Sequence, residues 1–219
     1  MFKQRILAQL SVKGDIRFIS HHDLMRVLGR AARRAGLLVA MSEGFNPRQK
    51  ISILLARPVG VASEAEYVEI ELTEWMSAGD VMRRLNETLP DGIRVEEAVL
   101  GHPHKRHRVA GIDYRITCRS PRAISTQDVR DLLSRQEIWV ERKQKRKKSR
   151  GTGKPRRINI RPFIRDIVVD EQGIHLSLEV TERGTTRPEE VLALLGMDPD
   201  ELLAECTVAR TNMRLAPSL

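Results

Sequence analysis

Residues 5–36 read RILAQLSVKGDIRFISHHDLMRVLGRAARRAG, and a change of period inside this stretch decides the fold. Up to Lys13 the apolar residues Ile6, Ala8, Leu10 and Val12 stand at every second position, which predicts a strand over 5–13. From Ser20 onward the spacing lengthens: Leu24, Val27, Leu28, Ala31 and Ala35 fall within about 100° of one face at 3.6 residues per turn. Ser20 with Asp23 three residues later predicts a capped helix start, and Gly36 is placed to end the helix. A strand followed by a helix with one apolar stripe predicts a helix lying on a sheet.

Outward from this unit the same two periods recur. Strands are expected over 38–41 and 51–56, flanking the turn Glu43-Gly44-Phe45-Asn46-Pro47, and over 68–72, where Val68, Ile70 and Leu72 alternate with Glu69 and Glu71. A helix over 78–89 stops at Pro90-Asp91-Gly92, and a strand over 93–99 follows. This order is the ferredoxin-like βαββαβ plan. It recurs downstream without sequence repetition: a strand through Tyr114, Ile116 and Cys118, a helix over 125–134, strands over 137–142, 158–169 and 174–181, a helix over 188–195 and a strand over 206–215. The expected fold is therefore α+β, two tandem ferredoxin-like halves with antiparallel sheets and helices packed on one face. The first half spans 1–100, a basic His-rich linker 101–111, and the second half 112–219, with a basic loop at 142–157.

That loop, RKQKRKKSRGTGKPRR, holds ten lysines and arginines with no acid and no apolar residue. The whole chain has 38 basic and 29 acidic residues, a net charge of +9; without the ten it has 28 against 29, or −1. The polyanion signal is local. Like charges repel into an extended, solvated segment, and such a segment attracts phosphates through counterion release. The longest apolar runs are far too short to cross a bilayer, and the amino terminus does not read as a signal peptide, so a cytoplasmic protein without membrane attachment is expected. Cys118 and Cys206 lack any clustered spacing, so reduced core thiols are expected rather than a disulfide, zinc or an iron–sulfur cluster.

On the first helix Arg26, Arg30, Arg33 and Arg34 occupy the arc opposite the apolar stripe, a basic face on a rigid element suited to phosphate or an acidic partner. His21, in Ser20-His21-His22-Asp23, is the candidate proton shuttle. The adjacent His22 points elsewhere at 100° per residue, which disfavours a shared metal. His102, His104 and His107 in the linker are flanked by Lys105, Arg106 and Arg108, so a basic hinge is the expected role and no metal is assigned. Walker, GxGxxG, HExxH and GxSxG signatures are absent from the sequence, and no cofactor is expected.

The segments Phe18-Ile19-Ser20-His21-His22-Asp23-Leu24-Met25-Arg26, Arg33-Arg34-Ala35-Gly36-Leu37 and Ser42-Glu43-Gly44-Phe45-Asn46-Pro47-Arg48-Gln49-Lys50-Ile51-Ser52 closely resemble the radical-SAM-linked domain family of unknown function. Val59-Gly60-Val61-Ala62-Ser63-Glu64-Ala65-Glu66-Tyr67 extends the resemblance, and Ile160-Arg161-Pro162 and Ala209-Arg210-Thr211 carry it weakly onward. His22 stands where that family usually has leucine, Gln49 where it often has proline, and Asn159 where it often has aspartate. The resemblance implies partnership with a radical SAM enzyme and, through the family's gene neighbourhoods, a connection with RNA; it supplies no reaction.

The expected function is accordingly an RNA-binding or RNA-presenting partner of a radical SAM enzyme. Its ordered surface would be Arg26, Arg30, Arg33, Arg34, Phe45, Asn46, Arg48 and Lys50. Affinity blind to sequence would come from Lys145, Arg146, Lys147, Lys148, Arg150, Lys154, Arg156 and Arg157. The alternatives are a metal-independent ribonuclease or RNA-modifying enzyme using His21, and a scaffold that binds only the radical SAM protein. Oligomeric state is left open.

Overall fold

The computed structural model describes residues 4–102, 105–119, 124–142, 155–198 and 205–216. They form a mixed α+β protein with mostly antiparallel strands and, among the described residues, four α-helices. The chain divides into two compact units, Met1–Ala110 with Val208–Leu219, and Gly111–Thr207.

In the first unit, β1 (Gln4–Val12), α1 (His21–Arg34), β2 (Ile51–Ile53), β3 (Ala62–Leu72), α2 (Ala78–Asn86) and β4 (Ile93–Leu100) follow one another. The sheet order is β4-β1-β3-β2, with antiparallel pairing throughout: Ile6 stands opposite Ile70, Ile6 opposite Leu100, and Ile51 opposite Ile70. The strand expected over 38–41 is reduced to single bridges at Val39 and Met41, and that expected over 68–72 is a longer one. The alternation seen in the sequence does its expected work. Ile6, Ala8, Leu10 and Val12 share a core with Val68, Ile70 and Leu72, with Leu24, Leu28 and Ala31 of α1, and with Val81 and Leu85 of α2. Each fully buried leucine or isoleucine there contributes about 1.5–3 kcal/mol.

The other side of β1 carries Arg5, Gln9 and Ser11 around the buried Leu7, and its polar groups are cross-linked. The Arg5 guanidinium donates to Glu71 Oε1 at 2.9 Å and to the carbonyls of His102 and Lys105 at 3.2 and 2.7 Å. Glu69 accepts from the His107 backbone N–H at 2.9 Å, and its carboxylate lies 2.8 Å from His107 Nδ1. The linker histidine is therefore tied to a strand. Burial opposes ionisation of Glu71, yet Arg5 and Lys50 outweigh it and hold that carboxyl below its ordinary range.

The last strand of the chain, β10 (Cys206–Leu215), meets β3 in parallel, with Ala209 opposite Ala62 and Arg210 opposite Ser63. Arg210 is 1% exposed and its guanidinium lies 3.0 Å from the carboxylate of Glu66, which is 0% exposed. Arg210 also donates to the carbonyls of Leu55 at 3.1 Å and Ala56 at 3.4 Å. Arg57, buried nearby, donates to the carbonyl of Arg17 at 2.7 Å and to that of Val61. Burial pushes the Glu66 carboxyl up, against the opposing charges of Arg210 and Arg57.

The second unit contains β5 (Val109–Cys118, from Gly111), α3 (Thr126–Ser134), β6 (Trp139–Arg142), β7 (Arg156–Asn159), β8 (Ile164–Asp170), β9 (Gly173–Glu179) and α4 (Pro188–Leu194). The order β5-β9-β8 is antiparallel, and β6 and β7 pair only with each other. The strand expected over 158–169 is broken by a 3₁₀ turn at Arg161–Phe163, because Pro162 brings no N–H to a ladder. Arg161 braces the break by donating to the carbonyls of Leu133 and Ile164, both at 2.8 Å. Arg142 closes a two-pronged pair on Glu190 of α4, both bonds 2.7 Å, and donates to the Thr185 carbonyl at 2.9 Å. Burial opposes ionisation of Glu190, but Arg142, the Arg187 N–H and the Thr186 hydroxyl outweigh it and hold the carboxyl below its usual range.

The expectation of reduced core thiols is corrected. Cys118 and Cys206 form a disulfide with Cα atoms 4.0 Å apart. The Arg119 N–H donates to the Glu205 carbonyl at 3.0 Å, so the end of β5 and the start of β10 run side by side. Nothing in a separation of 88 residues reveals that proximity.

Two outcomes follow for stability. Glu66→Leu strands a buried guanidinium and should cost about 3–5 kcal/mol in urea denaturation, part of it recovered by adding Arg210→Met. A depressed carboxyl contributes stability that is present above its unfolded pKa of about 4.3 and is lost as the pH falls through the lower folded value. Melting curves of Glu190→Gln should therefore lose part of the wild-type destabilisation seen on acidification below about pH 4.3.

Candidate nucleic-acid interface

Helix α1 begins as its sequence prescribes. Ser20 Oγ accepts from the Asp23 N–H at 3.2 Å and donates to the Asp23 carboxylate at 2.7 Å. Gly36, at φ +66°, ends the helix, and the Leu37 N–H returns to the Ala32 carbonyl at 3.0 Å. With Leu24, Leu28, Ala31 and Ala32 buried beneath, Arg26, Arg30, Arg33 and Arg34 are exposed as expected.

Their partners differ. Arg26 pairs with Asp23 at 2.8 Å, an acid that the sequence pattern assigns to capping alone; the Ser20 hydroxyl and the Arg26 charge together hold the Asp23 carboxyl down. Arg34 is drawn across to the turn that follows α2, donating to the Thr88 carbonyl at 2.5 Å. Arg30 and Arg33 have no ion pair among the described residues.

Residues 40–50 form a hairpin. Lys50 N–H donates to the Ala40 carbonyl and Ser42 N–H to the Arg48 carbonyl, both at 2.7 Å, and Ser42 Oγ accepts from the Arg48 N–H at 2.9 Å. Gly44 turns the tip at φ +118°, and Glu43, Phe45, Asn46 and Arg48 are exposed. Phe45 is the most exposed large apolar side chain among the described residues, without core contact to explain it. Lys50 faces away from this tip: its ammonium sits 3.6 Å from Glu71, so the positive charge expected on the interface is matched within the sheet.

Gly29 joins the two parts. A Cβ at that position would lie 2.6 Å from Gln49 Oε1, so a side chain there would displace Gln49. Gly29 is three residues after Arg26 and four before Arg33, in the same stripe of the helix. The hairpin therefore seats its Gln49 side chain against the stripe of α1 that carries Arg26 and Arg33, while Arg48 and Phe45 of the same hairpin are exposed.

His21 is half-exposed in the first turn of α1, edge-on to His22 with ring centroids 5.7 Å apart. No carboxylate forms an ion pair with its imidazole among the described residues. No group of three or more His, Cys, Asp or Glu side chains able to hold a metal occurs among the described residues, and His104 lies outside them.

In the second unit, Lys145, Arg146, Lys147, Lys148, Arg150 and Lys154 lie outside the described residues. Arg156 and Arg157 are exposed on β7, and the Arg157 guanidinium stands 5.5 Å from the centre of the Trp139 ring. The first arginine of the basic run, Arg142, is held by Glu190. Two features escape sequence reasoning. Trp139 meets Arg157 only because β6 pairs with β7 across the basic run, which no local period discloses. The Arg57, Glu66 and Arg210 cluster joins residues 57–66 to the distant strand β10; its only trace is that Glu66 and Arg210 fall in the family-like segments quoted above.

No curated protein matches this sequence. One family model, described as an uncharacterised protein conserved in bacteria (DUF2344), matches residues 5–188, so most of both units is covered and the chain belongs to that family.

Proposed function

We propose that this protein binds RNA through the α1 and hairpin surface of its first unit, acting as a non-catalytic, cytoplasmic partner of a radical SAM enzyme. The observation that carries the reading is the seating of Gln49 at Gly29, which ties a hairpin with the exposed side chains Phe45 and Arg48 to a rigid helix with exposed arginines. Arginines neutralise phosphates while an exposed ring offers a face to an unpaired base, the combination that single-stranded RNA requires. The ten cations of residues 142–157 add affinity without sequence discrimination, less the contribution of Arg142. The radical SAM partnership rests on the sequence resemblance.

This reading includes two ferredoxin-like halves. The order β4-β1-β3-β2, with a helix after β1 and another after β3, supports it for the first unit. In the second, the succession β5, α3, β8, β9 and α4 supports it once the β6–β7 pair is set aside as an insertion.

Binding of a labelled single-stranded RNA across a salt series provides the test. Arg30→Glu with Arg33→Glu should reduce the slope of log affinity against log salt by about 0.7 per lost phosphate contact. Phe45→Ala should weaken binding roughly tenfold and leave that slope unchanged. A charge-reversed protein with the wild-type slope would overturn the interface. For the partnership, affinity purification after RNase treatment should still recover a radical SAM protein; recovery only while RNA is intact would assign the association to RNA.

A further inference from the structure

The β6–β7 pair holds a half-exposed tryptophan in a chain with only two tryptophans and eight aromatic residues in all. Trp139 is 49% exposed, although β6 is anchored firmly on its other face. The register explains the arrangement. Trp139 stands opposite Asn159, Val140 opposite Ile158, Glu141 opposite Arg157, and Arg142 opposite Arg156. Side chains directly opposite share a face, and diagonal neighbours two residues apart remain within reach of long or aromatic groups. Trp139, Glu141, Arg157 and Asn159 therefore line one face, and Val140, Arg142, Arg156 and Ile158 the other.

The second face is the packed one: Val140 and Ile158 are half-buried there, and Arg142 is bonded to Glu190 and Thr185. The first face is outward. On it the Arg157 guanidinium lies 5.5 Å from the indole centre, within cation–π range. The indole N–H is oriented by donating to the Glu137 carboxylate at 3.0 Å. Asn159, at the root of the face, accepts from the Ile138 N–H at 2.9 Å and the Arg161 N–H at 3.1 Å, fixing the base of the pair.

We infer that Trp139 and Arg157 form a stacking platform for an unpaired base of single-stranded RNA, a second contact site on the second unit. The inference rests on the RNA-binding reading above and adds a second site to it. Charge complementarity selects the occupant. Residues 143–154, the sequence that directly joins the two strands, contain seven lysines and arginines and no acid. A polyanion drawn to that sequence arrives at an indole whose neighbour is a guanidinium able to take the adjoining phosphate. A duplex presents the same phosphates but keeps its bases stacked, so it meets the cations and leaves the platform unused. The competing role for the pair is internal, a cation–π contact that only steadies the two strands.

Trp75→Phe leaves Trp139 as the sole indole and allows its fluorescence to report on its own surroundings. Titration with a single-stranded oligoribonucleotide should quench that fluorescence saturably, and an RNA duplex of equal phosphate count should quench it little. Trp139→Ala in the wild-type background should weaken the single strand roughly tenfold, with an unchanged salt slope and unchanged duplex affinity, while Trp139→Phe retains most of the affinity. Saturable binding by anisotropy with no quenching, or equal losses for strand and duplex in Trp139→Ala, would overturn the platform and leave the first-unit interface standing. Absence of any RNA binding would overturn both. Single-stranded DNA of the same sequence forms a further arm: tighter binding of DNA than RNA would overturn the assignment of RNA as the occupant.

Discussion

A guanidinium from the last strand, enclosed against a carboxylate on the central strand of the first unit, is the interaction on which that unit's arrangement depends. Arg210 and Glu66 are almost wholly removed from water, and desolvating such a pair costs several kcal/mol per ion before attraction and hydrogen bonds offset it. The offset comes from segments far apart in the chain. Arg210 takes the carbonyls of Leu55 and Ala56, while Arg57 takes those of Arg17 and Val61. Gly60, at φ +88°, donates its N–H to the Arg17 carbonyl at 3.0 Å and lies beside Phe18, the residue two before the α1 cap. The start of the arginine-bearing helix is thus fixed by backbone carbonyls that buried charges hold in place. An apolar replacement of the Arg210–Glu66 pair could match the stability, but it would remove the Arg210 donor from the Leu55 and Ala56 carbonyls.

Periodic segments were legible in the sequence. The strand and helix of residues 5–36, the turn at 43–47, the helix from residue 78 and the alternation around residues 68–72 each state their structure locally, because burial of one face is enough to specify them. Distant pairings were not. Asp23 reads as a cap and also pairs with Arg26; Lys50 reads as an interface cation and pairs with Glu71; the cysteines read as separate and are bonded. In each case the deciding partner is set by strand register or by side-chain reach in three dimensions, and a linear pattern contains neither. Gly29 is instructive. A glycine inside a helix costs about 1 kcal/mol relative to alanine, a local fault that makes sense only when Gln49 is seen against it.

Cations and aromatics are divided between the two units in different mechanical settings. In the first, arginines project from a helix packed on a sheet and the exposed phenylalanine sits on a hairpin braced by backbone bonds. In the second, the tryptophan lies on a strand pair whose two strands are joined in sequence by residues 143–154, rich in lysine and arginine. Ordered contacts fix register on a ligand, whereas charge density sets how often the ligand arrives.

The disulfide alters the reference state against which the folded protein is measured. Closing a loop of 88 residues removes on the order of 4 to 5 kcal/mol of conformational freedom from the unfolded ensemble in the chain-entropy treatment. An oxidised and a reduced sample of this protein thus differ chiefly in what unfolding releases. The two redox forms are distinct thermodynamic species even where their folded contacts coincide.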